Sequence, residues 1–521
     1  MSRRAWPPMR LLMRLLMRLF WPLLFLALCR PLLAQEAGFD LPPEPTPALP
    51  LQLPVFAQAA LPNGMRLVVI ERRGLPLVTA MLSVQAGSLA DPPGKSGLAE
   101  LSFGVLGKGA RRGGVKADAT ALANAADALG SGLEISTGAQ ASRLSMTVMS
   151  MHLSESLSLL ADVLRAPTLP AQEVNSSRLQ LQQAIKQEAS DPMALATQLA
   201  WRLYWGDSPP GRLSSMQSLA RIKREDVLTF CREKLRPERT TLVLAGDVDL
   251  AQGLALAERY FGSWGLQHPH AAAPLPPQGS HPSRPAPDGA PAPLGPPILL
   301  VDLPGSGQSA VLLFAPFPAQ RNRDGEPARA RTAALASAVL GSGYSSRANQ
   351  QVRIKRGLSY GAYSSAESLP AGGMLLLSTQ TKHINAAEAA QLLHSELLGL
   401  AHEAVPAEEL LARQNGLLGD FARQLETTQS LASLAAEQLE RGETLAELAD
   451  YADQLKRVSA AQVQAFAQHY WPASALRLVI VADLKQAGAG LRQQYPQAWL
   501  IPAAELDLAA QKLRRPPTRL K

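Results

Sequence analysis

Apolar residues follow two rhythms along this chain. Short apolar blocks at 65–70 and 77–84 flank Gly74-Leu75-Pro76, and blocks at 298–301 and 309–314 flank Pro304-Gly305-Ser306-Gly307. Blocks of this length bounded by Gly and Pro predict strands, and each pair reads as a β-hairpin with a Gly-containing connection. Residues 133–137 and 142–148 predict a third and fourth strand. Ala- and Leu-rich stretches at 155–166, 171–189, 387–403 and 430–448 carry the 3.6-residue spacing of helices.

The pattern repeats. Val227-Leu228-Thr229-Phe230, Leu235-Arg236-Pro237 and a strand from Thr241 to Asp247 return as Val463-Gln464-Ala465-Phe466, Tyr470-Trp471-Pro472 and a strand ending at Asp483. The offset stays at 235 to 236 residues, so helix, proline-marked turn and strand recur in order, the signature of an internal duplication. Between the copies, eleven of the 29 residues from Pro269 to Pro297 are proline, a composition that forms an extended connector and no core. The expected fold class is α+β: two homologous halves, each an antiparallel-rich sheet covered by helices. The expected boundaries are a signal peptide at 1–34 and a Pro-rich spacer at 35–54, then a first half at 55–266. A linker at 267–297, a second half at 298–490 and a tail at 491–521 complete the division.

The amino terminus changes the electrostatic picture. A basic leader runs into a short apolar stretch at 19–28, and Ala34 followed by Gln35 offers a cleavage point. Residues 1–34 hold six arginines and no acid, so the net charge of +8 falls to +2 without them. That near-neutral remainder gives no support for nucleic-acid binding, which needs a clustered cationic field. The leader implies export, with the periplasm of a Gram-negative bacterium as the expected location, the leader being either cleaved or retained as an anchor. Cys29 lies in the leader and leaves Cys231 unpaired, on an apolar helical face where a buried small hydrophobe is expected.

The chemistry centres on Gly97-Leu98-Ala99-Glu100-Leu101-Ser102-Phe103-Gly104. This stretch resembles the zinc-binding helix of the insulinase and pitrilysin-like family, which includes the mitochondrial processing peptidases. In that family an inverted His-x-x-Glu-His motif supplies two zinc-ligating histidines and a catalytic glutamate. Glu100, Phe103 and Gly104 stand at those three positions. The family's third ligand lies on a helix that reads Glu-Arg-x-Val-Ile-x-x-Glu, and the matching run starts at Ser177 and ends at Ala184, with Asp191-Pro192 following. A catalytic zinc needs three His, Cys, Asp or Glu ligands. Phe103, Gly104 and Ala184 offer no donor, so no metal is expected in this chain. His268, His270 and His281 lie in the linker, and the remaining histidines are too scattered to replace the lost set.

A second resemblance is intact. Gly341-Ser342-Gly343 leads through Arg347 to Arg353-Ile354-Lys355-Arg356-Gly357-Leu358-Ser359-Tyr360, which is similar to the family's Gly-rich turn followed by Ile-Arg-x-x-Arg-Gly-Leu-x-Tyr. In active members an Arg and a Tyr seven residues apart hold the substrate backbone and the developing oxyanion. Arg353 and Tyr360 have that spacing, and are the expected substrate-binding residues. On residue types alone, Arg353 equally suits a helix surface and Tyr360 a core aromatic at a strand start. Bacterial members of the family often work in pairs, one chain with the zinc motif and one with the Arg/Tyr motif. The resemblance therefore implies a non-catalytic subunit that binds extended peptide and completes the active site of a zinc-bearing partner. The alternatives are a metallopeptidase with unusual ligands, or a scaffold like the family's core proteins in respiratory complexes.

Overall fold

The computed structural model describes residues 52–265, 296–320, 327–510 and 513–514. The expected signal peptide, most of the 35–54 spacer and nearly all of the 267–297 linker lie outside these residues. From Leu53 onward the chain packs as one unit.

The first half opens with β1 (Phe56–Ala60), β2 (Arg66–Glu71) and β3 (Leu77–Val84), then α1 (Leu98–Gly104) and a small hairpin of β4 (Gly109–Arg112) with β5 (Val115–Asp118). It continues through β6 (Glu134–Thr137), β7 (Ser142–Met149), α2 (Leu153–Arg165), α3 (Ala171–Glu188) and α4 (Pro192–Trp205). It closes with α5 (Arg224–Lys234), β8 (Thr240–Gly246) and α6 (Leu250–Phe261). The sheet order is β1-β2-β8-β3-β7-β6.

The second half runs β9 (Ile298–Asp302), β10 (Ser309–Phe317), α7 (Pro327–Gly341), β11 (Ala362–Leu369), β12 (Gly372–Thr381), α8 (Ala386–His402) and α9 (Ala407–Gln424). It ends with α10 (Thr428–Glu440), α11 (Ala460–Tyr470), β13 (Arg477–Ala482), α12 (Leu484–Gln494) and β14 (Trp499–Pro502). Its sheet, β14-β9-β13-β10-β12-β11, repeats the first over five strands, with β9-β13-β10-β12-β11 matching β2-β8-β3-β7-β6. The sixth differs, since β1 is the first strand and antiparallel to β2, whereas β14 is the last and parallel to β9. The duplication read from the sequence is a duplication of topology.

Three expectations are corrected here. Neither predicted hairpin forms. β8 inserts between β2 and β3, parallel to β2 (Val68 beside Val243) and antiparallel to β3 (Ala80 beside Leu244). β13 inserts likewise between β9 and β10. A mostly apolar strand such as β8, buried on both faces, belongs in a sheet centre, which leaves the flanking pair apart. The tail assigned to 491–521 also begins too early. α12 continues to Gln494, and β14 adds to the sheet beside β9, pairing Leu500 with Leu300. The expected helix at 430–448 ends at Glu440, because Gly442 turns the chain with φ of 73°.

Each half builds one core between its sheet and its own helices. The opposite face of each sheet is covered by a helix from the other half. α4 packs Leu195, Leu199 and Trp205 onto Val301, Leu312 and Phe314 of the second sheet, and the Tyr204 phenol donates to the Gly373 carbonyl at 2.7 Å. α10 packs onto β3 and β8 of the first sheet, burying Leu431, Leu434 and Ala435. These two contacts differ in chemistry. The first is an apolar core, whereas the second adds polar pairs such as Thr79 with Thr428 at 2.8 Å and Ser83 with Glu440 at 2.7 Å.

Candidate functional site

The motif helix α1 is short and well anchored. Gly97 enters it at φ of 94°, and the Asp91 carboxylate accepts from the backbone N–H of Gly97 at 2.7 Å and Ala99 at 2.8 Å. Burial outweighs those donors and pushes Asp91 up to about 6. Seven residues make two turns, and Leu98, Ala99, Leu101, Ser102 and Phe103 all face inward. Phe103, at the family's glutamate position, is 1% exposed and belongs to the core of the first half. Glu100 and Gly104, one turn apart, share the outer face. A Cβ added to Gly104 meets nothing within 4 Å, so its loss of side chain reflects no packing demand.

Ala184 on α3 is exposed, and Ser177 is half-buried. Sequence reasoning missed Glu188, one turn beyond Ala184. Desolvation raises the Glu100 carboxyl above its usual range, and the Glu188 charge raises it further. Glu188 in turn accepts a hydrogen bond from Gln198 at 2.8 Å. Two like-charged carboxylates with no nitrogen or sulfur donor do not make a zinc site. No cluster of three or more His, Cys, Asp or Glu able to hold a metal occurs among the described residues. The residues present therefore do not fit zinc.

His383 and Cys231 are structural. His383 is buried, its ring bridging the Ser309 hydroxyl and the Ser306 carbonyl, each at 2.8 Å. Burial pushes the Cys231 thiol up to about 12, leaving it protonated and unreactive at neutral pH.

The Arg/Tyr segment is built differently. After α7 the chain turns sharply through Gly341, where a Cβ would lie 2.1 Å from the Ser364 nitrogen, and Gly343, at φ of 82°. Two buried side chains that sequence reasoning missed hold this turn. Arg413 from α9 donates to the Ser342 carbonyl at 2.8 Å and also to the Ser345 hydroxyl. Asn349 donates to the Tyr344 carbonyl at 2.6 Å and accepts from Ala362 N–H at 3.3 Å, tying the turn to β11. Arg347 grips Glu409 of α9 through two nitrogens, at 3.0 and 2.9 Å.

A wide π-type turn, Gln350–Ile354, then presents Arg353 outward. Such turns recur at functional sites because they displace one side chain from the helical path. The Arg353 guanidinium lies 5.2 Å from the ring centre of Tyr344. Among the described residues, no carboxylate lies within salt-bridge distance of Arg353, so its charge stays available. Tyr360 is 91% exposed, which excludes a core role for its ring. Its loop is pinned from behind, with Thr379 donating to the Gly361 carbonyl at 2.7 Å and Thr381 to the Leu358 carbonyl at 2.6 Å. Tyr344 and Tyr363 are also exposed, Tyr344 lying beside Arg353.

Between the halves lies a polar cleft of about 640 Å³, lined by Ser136 and Arg143 of the first sheet, Ser368 and Glu367 of β11, and Glu437 and Glu440 of α10. The terminal strands β6 and β11 of the two sheets both border it. Burial raises the Glu367 carboxyl, and the nearby Glu437 adds to the effect.

Comparison with known proteins agrees with this fold. Residues 67–205 match the profile of the insulinase family, peptidase family M16, and residues 221–417 match that of the peptidase M16 inactive domain. An uncharacterized zinc protease of Mycobacterium leprae is 24% identical over 375 residues, covering 72% of this chain and 80% of that protein. The crystal structure of a protease from Helicobacter pylori superposes with a TM-score of 0.72 at 20% identity, over 82% of this chain and all of its own. A peptidase M16 inactive domain from Pseudomonas fluorescens gives 0.68 at 20% identity, over 82% of this chain and 98% of that one. Doubled sheets, exchanged helices and the two profiles matched in order lead to one conclusion: the chain belongs to the insulinase family of peptidases, as a member whose zinc-binding motif has been lost.

Proposed function

We propose that this chain is a non-catalytic subunit that binds extended peptide and completes the active site of a zinc-bearing partner of the same family. One observation carries the reading. Arg353 and Tyr360 are both exposed, no carboxylate lies within salt-bridge distance of Arg353 among the described residues, and the Tyr360 loop is pinned from behind, while Phe103, Gly104 and Ala184 offer a metal nothing. A scaffold with no role in substrate handling has no need of a solvent-facing phenol on a pinned loop. The guanidinium carries a fixed charge and the phenol a donatable proton. Aimed at a peptide carbonyl, they stabilise negative charge developing on its oxygen, a contribution that grows as the bond order falls.

The strand edges support the peptide-binding half of the reading. β6 and β11 each end their sheet, so each carries unpaired backbone groups along its outer side. An extended peptide can pair with such an edge by main-chain hydrogen bonds, largely independent of its sequence. The arginine-rich leader supports export, and we place the pair in the periplasm.

The experiment is reconstitution. The purified chain is mixed with a homologue from the same organism that carries His-x-x-Glu-His, and hydrolysis of an unstructured peptide is followed. Activity that greatly exceeds that of either chain alone is expected, with no stoichiometric zinc in this chain by itself. About one zinc per chain together with hydrolysis by the chain alone would overturn the proposal in favour of an independent peptidase.

A further inference from the structure

One concavity is lined by residues of neither motif. It is a groove of about 1040 Å³ in the helical layer of the first half, on the side of the sheet opposite α10. The ends of α2, α5 and α6 meet there with the β1–β2 and β4–β5 turns. Five arginines line it, Arg111, Arg165, Arg232, Arg236 and Arg259, and no lysine does. The acids in the lining are Asp162 and Glu238.

The local pairs do not balance this charge. Asp162 accepts from Arg112 at 3.3 Å, and Glu238 lies 3.7 Å from Arg236. Arg165 is spent on the Tyr260 carbonyl and the Ser263 hydroxyl, the latter at 3.0 Å. Arg111, Arg232 and Arg259 remain. Among the described residues no carboxylate lies within salt-bridge distance of any of the three, and Arg259 is only stacked 5.4 Å over the ring of its neighbour Tyr260. Three like charges around one groove repel each other, and a bound anion relieves that repulsion.

The groove also says which kind of anion. Arg165, Arg232 and Arg259 each sit in the last turn of their helix, so three helix carboxyl ends are gathered here. Helix carboxyl ends present carbonyl acceptors and negative partial charge, not the N–H groups that cradle phosphate. A phosphate has only acceptors to offer such a site. Several of those carbonyls already accept from Arg165, Asn63 and Arg236, and a peptide with acidic side chains offers spaced carboxylates to the separate guanidinium forks. The Tyr260, Trp264 and Pro237 side chains supply apolar contact between the charges.

We propose that this arginine groove binds an acidic peptide segment. The inference does not depend on the reading of Arg353 and Tyr360, and either can fail alone.

The test uses the full chain and a fluorescein-labelled decapeptide of alternating Glu and Ala, followed by fluorescence anisotropy. Saturable binding is expected, absent for the Lys-Ala counterpart. Affinity should fall several-fold between roughly 50 and 200 mM salt, as the Debye length shortens. The variant Arg111→Gln/Arg232→Gln/Arg259→Gln should bind at least tenfold more weakly with an unchanged circular dichroism spectrum. Should that variant fail to fold, the triple Arg→Lys variant carries the test: it keeps charge but loses the planar fork, and several-fold weakening is expected. Wild-type affinity in the folded triple Gln variant, or in the triple Lys variant where that one carries the test, would overturn the proposal. So would binding of inorganic tripolyphosphate to the groove in place of the peptide.

Discussion

Arg143 on β7 is the strongest polar link between the halves, and its removal gives a sharp prediction. Its guanidinium donates to both carboxylate oxygens of Glu440 on α10, at 2.9 and 2.6 Å, and to Glu437 at 3.2 Å. The Arg143 and Glu440 side chains are 22% and 14% exposed, and Ser83 donates a further bond to Glu440. Arg143→Ala leaves Glu440 mostly desolvated with a single hydroxyl for company. Breaking a fully buried pair costs about 3–5 kcal/mol, whereas a surface pair is worth about 0–1 kcal/mol. With a fifth of the arginine still in water, the expected loss is about 2 kcal/mol. For a cooperative unit of this length that corresponds to a fall in melting temperature of about 2 °C. Urea unfolding of wild type, Arg143→Ala, Glu440→Ala and the double variant closes a cycle, and a coupling of about 1–2 kcal/mol is expected between residues in direct contact. Replacing both by leucine should recover much of the loss, because the desolvation cost disappears with the charges. Single losses that simply add, with coupling below about 0.5 kcal/mol, would refute the idea that this pair fastens α10 to the first sheet.

Other expectations follow from single side chains. The Ser102 hydroxyl in α1 is buried with no hydrogen-bond partner among the described residues, so Ser102→Ala should stabilise the chain by about 1 kcal/mol, read by urea midpoint. Phe103 is now core, so Phe103→Ala should destabilise by about 3–4 kcal/mol in the same assay, and a surface-like loss would contradict its placement. Asp91 is raised from 3.8 to about 6, so the folded chain takes up its proton more readily than the unfolded one across that window. Its contribution to stability therefore rises as pH falls from 6 toward 4. The melting temperature of wild type relative to Asp91→Asn should increase over that range, and a constant difference would contradict the shift.

The sequence and the structure agree where the signal is local and part where it is long-range. The 235-residue offset already implied two like halves, and the helices at α2, α3 and α8 fell within a residue or two of their periodic stretches. The hairpins failed because β8 and β13 arrive more than 150 residues after the strands they separate, and nothing in a short window announces that insertion. β14 escaped notice because Trp499-Leu500-Ile501-Pro502 is brief and ends in proline, which an edge strand tolerates. At the motif helix, the missing donors were legible residue by residue, since a phenylalanine and a glycine cannot ligate. The support of the Arg/Tyr surface was not legible. Arg413 and Asn349 act by reaching backbone carbonyls, Arg413 some seventy residues away, and such contacts leave no periodicity to read.

The central claim is that Tyr360 and Arg353 serve a reaction whose metal belongs to another chain. It is tested most directly by the turnover number of the reconstituted pair with Tyr360→Phe in place of wild type. Loss of one phenol donor at a developing oxyanion should lower kcat by about 10²–10³, with assembly of the pair unchanged. A kcat equal to that of the wild-type pair would contradict the account and leave this chain a scaffold.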